Sequence, residues 1–223
     1  MLLKRTILTS QHPIASYIRG VYYLNLLKKA GPECEPDLFG LRNVVHSGSC
    51  CFDVGANIGV YTKELSALAG PTGKVKAFEP VHETFAALSN NIARLGLKNV
   101  EVYNLAISDH HGRVSMSIPV REDGFPNLHR AEICEGQAVA CLPLDSIRGP
   151  LHFIKIDVEG HELEVLKGAG ELLRAYKPAL LVETDQKAVF SFLADFGYSP
   201  YIADAGLLRR HRGEHAVNYF FLP

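Results

Sequence analysis

Residues 52–59 read FDVGANIG. A short apolar run beginning at Cys50 carries one acid, Asp53. It ends in a glycine turn with Gly55 and Gly59, and Asn57 stands where a nucleotide-binding fingerprint would place another glycine. The segment that follows, VYTKELSAL, sets Tyr61, Leu65 and Leu68 on one helical face. The stretch therefore predicts a strand, a tight turn and a helix, with a carboxylate beside the turn.

The same rhythm continues outward. KVKAFEP predicts a second strand ending at Glu79-Pro80, and a helix with Phe85, Leu88, Ile92 and Leu95 follows, closed by Gly96. VEVYN (100–104), HFIKIDVEG (152–160) and PALLVET (178–184) predict three more strands. Helices carrying Leu163, Leu166 and Leu173, and then Val189, Phe192, Leu193 and Phe196, follow the last two. YSPYIA (198–203) and AVNYFFLP (216–223) predict a closing antiparallel pair. Strands alternating with helices mean a mostly parallel sheet covered on both faces. Apolar runs such as ALLV fit strands buried on both sides. Residues 110–148 break the rhythm with two possible strands around a polar loop, and predict an insertion on the core. Residues 14–30 predict a helix before the domain, as a lid or brace, with membrane-surface contact as the alternative. The domain organisation expected is thus 1–48 as a helical lead-in and 49–223 as the main domain.

Composition narrows the class. The 223 residues are 47% hydrophobic and 21% charged, with a formal net charge of -1. Length and balance fit one large globular domain and give no electrostatic reason to expect nucleic acid. Five cysteines (Cys34, Cys50, Cys51, Cys134 and Cys141) are an odd number without a CxxC pair, which predicts free thiols in a reducing, cytoplasmic setting. The N-terminal MLLKRTILTSQHP does not read as a signal peptide, and no apolar stretch is long enough for a membrane span.

In an open α/β sheet, ligands bind beyond the carboxyl ends of the strands. Here those ends carry Asp53, Glu79, Asp157 with Glu159, and Glu183. A pyrophosphate beside Asp53 would meet like charge, and no GxxxxGK[ST] loop is present. The ligand expected is neutral or cationic at these turns. S-adenosylmethionine fits, with a sulfonium and an ammonium against one carboxylate and a ribose diol for an acid such as Glu79. Gly55 and Gly59 would let the backbone approach it, and the helix start near Gly59 could take its carboxylate.

FDVGANIGVYT, KAFEP, NLAISD, PLDSI and especially IKIDVEGHELEVLKGA resemble the FkbM-type methyltransferases, over about residues 50 to 170. The resemblance implies the class I methyltransferase fold, a Rossmann-like seven-stranded sheet with helices on both faces and an antiparallel C-terminal edge. It implies S-adenosylmethionine as cofactor. Asp53, Gly55, Asn57 and Gly59, with Ala56 between them, would line its methionine end. Glu79, with Pro80 beside it, would hold the ribose; Asn104 and Ala106 would border the adenine; Asp157 would face the sulfonium. Asp157, Glu159 and His161 are the catalytic candidates, Asp157 foremost, although Glu159 also suits a helix start. The family acts mostly on hydroxyls of sugars, glycolipids and polyketides, so a small-molecule or glycan- or lipid-linked acceptor is implied. Three alternatives stand beside this reading. One is a nucleotide-dependent oxidoreductase and another is a non-catalytic module that has kept the cofactor fold. The third is a divalent metal held by Asp157, Glu159 and Glu183.

Overall fold

A strand buried on both faces needs helices on both sides of its sheet, and the run CCFDV is buried along nearly its whole length. The computed structural model describes residues 13–31, 35, 37–117, 132–133 and 137–223. The expectations about the first twelve residues, Cys34, Cys134 and most of the loop 121–136 lie outside the described residues.

The chain runs α1 (Pro13–Lys29), α2 (Asp37–Gly40), β1 (Cys50–Val54), α3 (Val60–Ala69), β2 (Lys74–Phe78), α4 (His82–Leu95) and β3 (Val100–Tyr103). Four short strands follow: β4 (Ala106–Ile107), β5 (Gly112–Ser117), β6 (Glu132–Ile133) and β7 (Gln137–Leu142). The rest is β8 (Phe153–Ile156), α5 (Glu162–Lys167), α6 (Gly170–Tyr176), β9 (Ala179–Glu183), α7 (Lys187–Asp195), β10 (Ser199–Asp204), β11 (Leu207–Arg210) and β12 (Asn218–Leu222). The main sheet has the order β11-β10-β12-β9-β8-β1-β2-β3. From β9 to β3 its strands are parallel, and β12, β10 and β11 pair antiparallel at one edge. The seven expected strands are all present.

Two details differ from the sequence reading. The stretch between the last two expected strands contains β11, an eighth, edge strand whose Leu207–Arg210 pair with Tyr201–Asp204. Exposed charge on an edge strand blocks further strand addition, which is why LLRR reads as a loop. The single helix expected after the fourth strand is broken into α5 and α6 at Gly168-Ala169. A Cβ on Gly168 would stand 2.1 Å from the Ser108 carbonyl oxygen, so the chain passes Ser108 closely there. Asp145, expected as a turn or cap residue, accepts the backbone N–H groups of Glu171 and Leu172 at 3.0 and 2.9 Å and fixes the start of α6.

Each face of the sheet has its own apolar layer. Phe52, Val54, Ile154, Ile156, Leu180 and Val182 pack with α5, α6 and α7. On the opposite face, Cys51, Val75, Phe153, Leu181 and Phe220 pack with Leu65 of α3 and with Leu38, Leu41 and Val45 from the segment before β1. That segment, part of the expected lead-in, therefore contributes to the core. The insertion folds as a small second sheet, β4-β7-β5-β6, around Ala106, Val114 and Cys141. Among the described residues no helix is long and apolar enough to cross a membrane.

Candidate functional site

The chain builds outward from β1 in two directions, to β2 and β3 on one side and to β8 and β9 on the other. The crevice between β1 and β8 is therefore the topological switch point at which such sheets bind ligands. Gly55 marks it. Its φ is +79°, and a Cβ there would meet the Asp157 carbonyl oxygen at 1.8 Å. Only glycine lets these two strand ends pass, which is the physical reason for the first glycine of the motif. Asn57 adopts a left-handed φ of 49°, a conformation asparagine tolerates.

Glu79, at the end of β2, is buried and ties its surroundings together. Its Oε2 accepts the backbone N–H of Asn57 at 2.8 Å. Its Oε1 accepts the Val81 N–H at 2.9 Å and the Thr84 hydroxyl at 2.7 Å. Three of the roughly four lone-pair sites of the carboxylate are thus used within the chain. Oε2 carries one of these bonds and Oε1 two, and Glu79 is among the residues that line the cavity described below. Burial pushes the Glu79 carboxyl upward, and its three donors oppose the shift. Asn104 donates to the backbone oxygens of Glu79 and Pro80, at 2.8 and 2.9 Å, and so fixes this corner.

Between β1 and β8 stands a cation that the sequence reading missed. Asp53 and Lys155 are register partners on adjacent parallel strands, so their side chains share a face. Lys155 Nζ lies 2.9 Å from Asp157 Oδ2 and 3.9 Å from Asp53 Oδ1. It also donates to the Gly55 carbonyl at 3.3 Å and sits 4.9 Å from the centre of the Tyr61 ring. Both Lys155 and Asp53 are buried. Burial pulls the ammonium down, but Asp157 and Asp53 outweigh it and hold Lys155 above its ordinary range. Burial pushes the Asp53 carboxyl up, against Lys155 and against the Thr62 hydroxyl that donates to Asp53 Oδ2 over 2.5 Å. The only signal for this triad was a lysine inside an otherwise apolar strand, since buried charges persist when paired.

A cavity of about 300 Å³ opens at this crevice. Of the residues singled out in the sequence, Gly55, Asn57, Glu79, Pro80, Ala106, Asp157, Glu159 and His161 line it, together with Tyr61, Phe78, Val81, Leu105, Ile107, Glu35 and Glu183. Asp53, Ala56, Gly59 and Asn104 are not among its lining residues. A second cavity of about 320 Å³ adjoins it and shares Asp157, Glu159 and Glu183. His161 Nε2 is 2.9 Å from Ser108 Oγ and Nδ1 is 3.6 Å from Glu164, while burial pulls its pKa down. Glu159 sits at φ 52° in the loop. The loop amides of Val158 and Gly160 donate to Glu162, whose other oxygen takes the Gln186 amide at 2.7 Å. Among the described residues no three of His, Cys, Asp or Glu are grouped as metal ligands.

The profile of the methyltransferase FkbM domain matches residues 53–200, from Asp53 through the whole crevice to the antiparallel edge. The chain belongs to the FkbM methyltransferase family. The cofactor of that family is S-adenosylmethionine. The hexuronic acid methyltransferase AglP of Haloferax volcanii is 30% identical over 130 residues, which cover 56% of this chain and 51% of AglP. The chain thus spans about half the length of the curated relative it matches. Among solved structures, the FkbM methyltransferase of Methylobacillus flagellatus superposes with a TM-score of 0.55 at 18% identity, over 94% of this chain and 60% of that one. Fibrillarin of Aeropyrum pernix, crystallised with S-adenosylmethionine, gives 0.50 at 12% identity, over 85% of this chain and 74% of its own. These likenesses place the fold among the class I methyltransferases.

Proposed function

We propose that the chain is an S-adenosylmethionine-dependent O-methyltransferase acting on a hydroxyl of a sugar, glycolipid or polyketide-type acceptor. The observation that carries this reading is the bond between Asn57 N–H and Glu79 Oε2, which joins the glycine turn to an acid that lines the cavity with it. The residues fit the cofactor. Gly55 removes the side chain that would close the crevice, and the rim is acidic, as a ligand of net positive charge requires.

When bound, the cofactor supplies a methyl group already activated on a sulfonium. The turn at Gly55–Gly59 and the start of α3 would take the methionine carboxylate. Glu79, with Pro80 beside it, would accept a ribose hydroxyl. Val81, Leu105, Ala106 and Ile107 line the cavity and would enclose the adenine, and Asn104 fixes the Glu79–Pro80 backbone. Asp157, held by Lys155, would face the sulfonium end, with Glu159 and His161 near the transferred group. Holding donor and acceptor in line is the chain's main contribution, since orientation alone can lower a barrier by about 7–11 kcal/mol. Lys63 donates to the carbonyls of Leu27 and Ala30 at 3.0 and 2.8 Å. This supports α1 as a brace that stiffens α3 over the site. The described cysteines Cys50, Cys51 and Cys141 are free thiols, which supports a reducing, cytoplasmic setting.

The name of AglP supports a sugar acceptor. A hexuronic acid offers two oxygen nucleophiles, a carboxylate and its hydroxyls, and the acid-lined rim here favours the hydroxyl. Transfer of labelled methyl to a panel of neutral, amino and uronic methyl pyranosides tests the reading. Label that survives mild alkali, as a methyl ether does, is the expected result. Label released as an ester, or no transfer to any of them, counts against it.

A further inference from the structure

The carboxylates at the crevice differ in how far they are already committed. Asp157 accepts from Lys155, both nitrogens of His161 face Ser108 and Glu164, and Glu162 accepts from Val158, Gly160 and Gln186. Glu183 is different. It ends β9, and the pairing of Ile156 with Val182 sets it beside Asp157. It lines both cavities, so it stands on the partition between the cofactor crevice and the adjoining pocket. It is half-buried, and among the described residues its carboxylate receives no hydrogen bond.

We propose that Glu183 is the general base of the transfer and that the acceptor hydroxyl sits in the adjoining cavity. This rests on the methyltransferase reading above. The acceptor O–H bond breaks and its proton goes to a Glu183 carboxylate oxygen. The acceptor oxygen bonds the methyl carbon, and the methyl–sulfur bond breaks with its electron pair left on sulfur. The products are a methyl ether, S-adenosylhomocysteine and a neutral Glu183, which then returns its proton to solvent. Among the committed groups, Asp157 keeps an orienting role and His161 a supporting one.

The surroundings of Glu183 suit a base. Asp157 and Lys155 face it from β8, Glu159 and Glu162 from the loop and α5, and Asp185 and His215 from the adjoining cavity. Burial first, then Asp157, push its carboxyl up to about 7, and Lys155 pulls against them. A base matched to neutral pH is the most effective kind. Turnover should therefore fall as pH drops through about 7. The same shift has a stability sign. A carboxyl raised in the folded state contributes stability that is fully present below its unfolded value and is lost as pH rises through about 7.

The test uses the full chain and the variant Glu183→Gln. Its affinity for S-adenosylmethionine and S-adenosylhomocysteine should stay within about threefold of wild type, while single-turnover transfer to the pyranoside accepted in the panel should fall by about 10²–10⁴-fold. Thermal unfolding needs no acceptor. Glu183→Gln should melt higher than wild type at pH 8, and the difference should shrink towards pH 5. Transfer within tenfold of wild type, or a variant that melts lower at pH 8, overturns the proposal. If wild type binds neither cofactor form, it is the methyltransferase reading itself that fails.

Discussion

The two sides of the crevice are built on opposite plans. At the ends of β1 and β2 the carboxylates are tied into the fold: Glu79 accepts three donors, and Asp53 accepts the Thr62 hydroxyl on one oxygen and faces Lys155 with the other. Beyond β8 and β9, Asp157 is tied to Lys155 and Glu162 to the loop amides, while Glu183 faces two cavities without a hydrogen bond from the described residues. The first side is a rigid seat whose ligand replaces little. The second leaves a carboxylate open to a changing partner. A cofactor common to many enzymes asks for the first arrangement, and an acceptor that must lose a proton asks for the second. Lys155 joins the two, because it touches the glycine turn, Asp53 and Asp157 at once.

The largest effect should come from removing that joint. Lys155→Met leaves Asp53 fully buried without its cation, and breaking a buried ion pair from one side costs about 3–5 kcal/mol. Urea unfolding should show that loss. Adding Asp53→Asn should restore part of it, because the second change removes the stranded charge. Full additivity of the two changes would break the claim that Lys155 couples both sides.

A smaller effect is expected at Glu79. Glu79→Gln should weaken S-adenosylhomocysteine binding by roughly ten- to a hundredfold, the loss of one charged hydrogen bond. The sequence alone predicts a change confined to the ligand. The structure adds a cost to the fold, since a glutamine amide would point a donor at the N–H of Asn57, or at the N–H of Val81 and the hydroxyl of Thr84. Calorimetry and thermal unfolding on the same variant should therefore both shift. Unchanged binding with a lowered melting temperature would make Glu79 a purely structural hub.

Much of this was legible in the sequence because an open parallel sheet sends its ligands to the carboxyl ends of its strands. Asp53, Glu79, Asp157 and Glu183 could be placed there from strand ends alone. Lys155 could not, since FIKI reads as an apolar strand, and although Asp157 lies two residues on, Asp53, its other partner, comes beside it only through the pairing of β1 with β8. The break between α5 and α6 was hidden for a similar reason: Gly168 yields to Ser108, a neighbour only in three dimensions. The edge strand β11 looked like a loop because exposure on both faces removes the alternation that betrays a strand. Asn104 was legible as a residue of the site, but not that its amide fixes the backbone of Glu79 and Pro80, which line the cavity.

The central claim is that an acid-ended crevice selects a cationic methyl donor over a dinucleotide. Titration calorimetry of the wild-type chain with S-adenosylmethionine, S-adenosylhomocysteine and NAD tests it most directly. The account predicts one site for each of the first two and no detectable heat from NAD, whose pyrophosphate would lie against Asp157 and Glu79. Binding of NAD without binding of either adenosyl compound would contradict it.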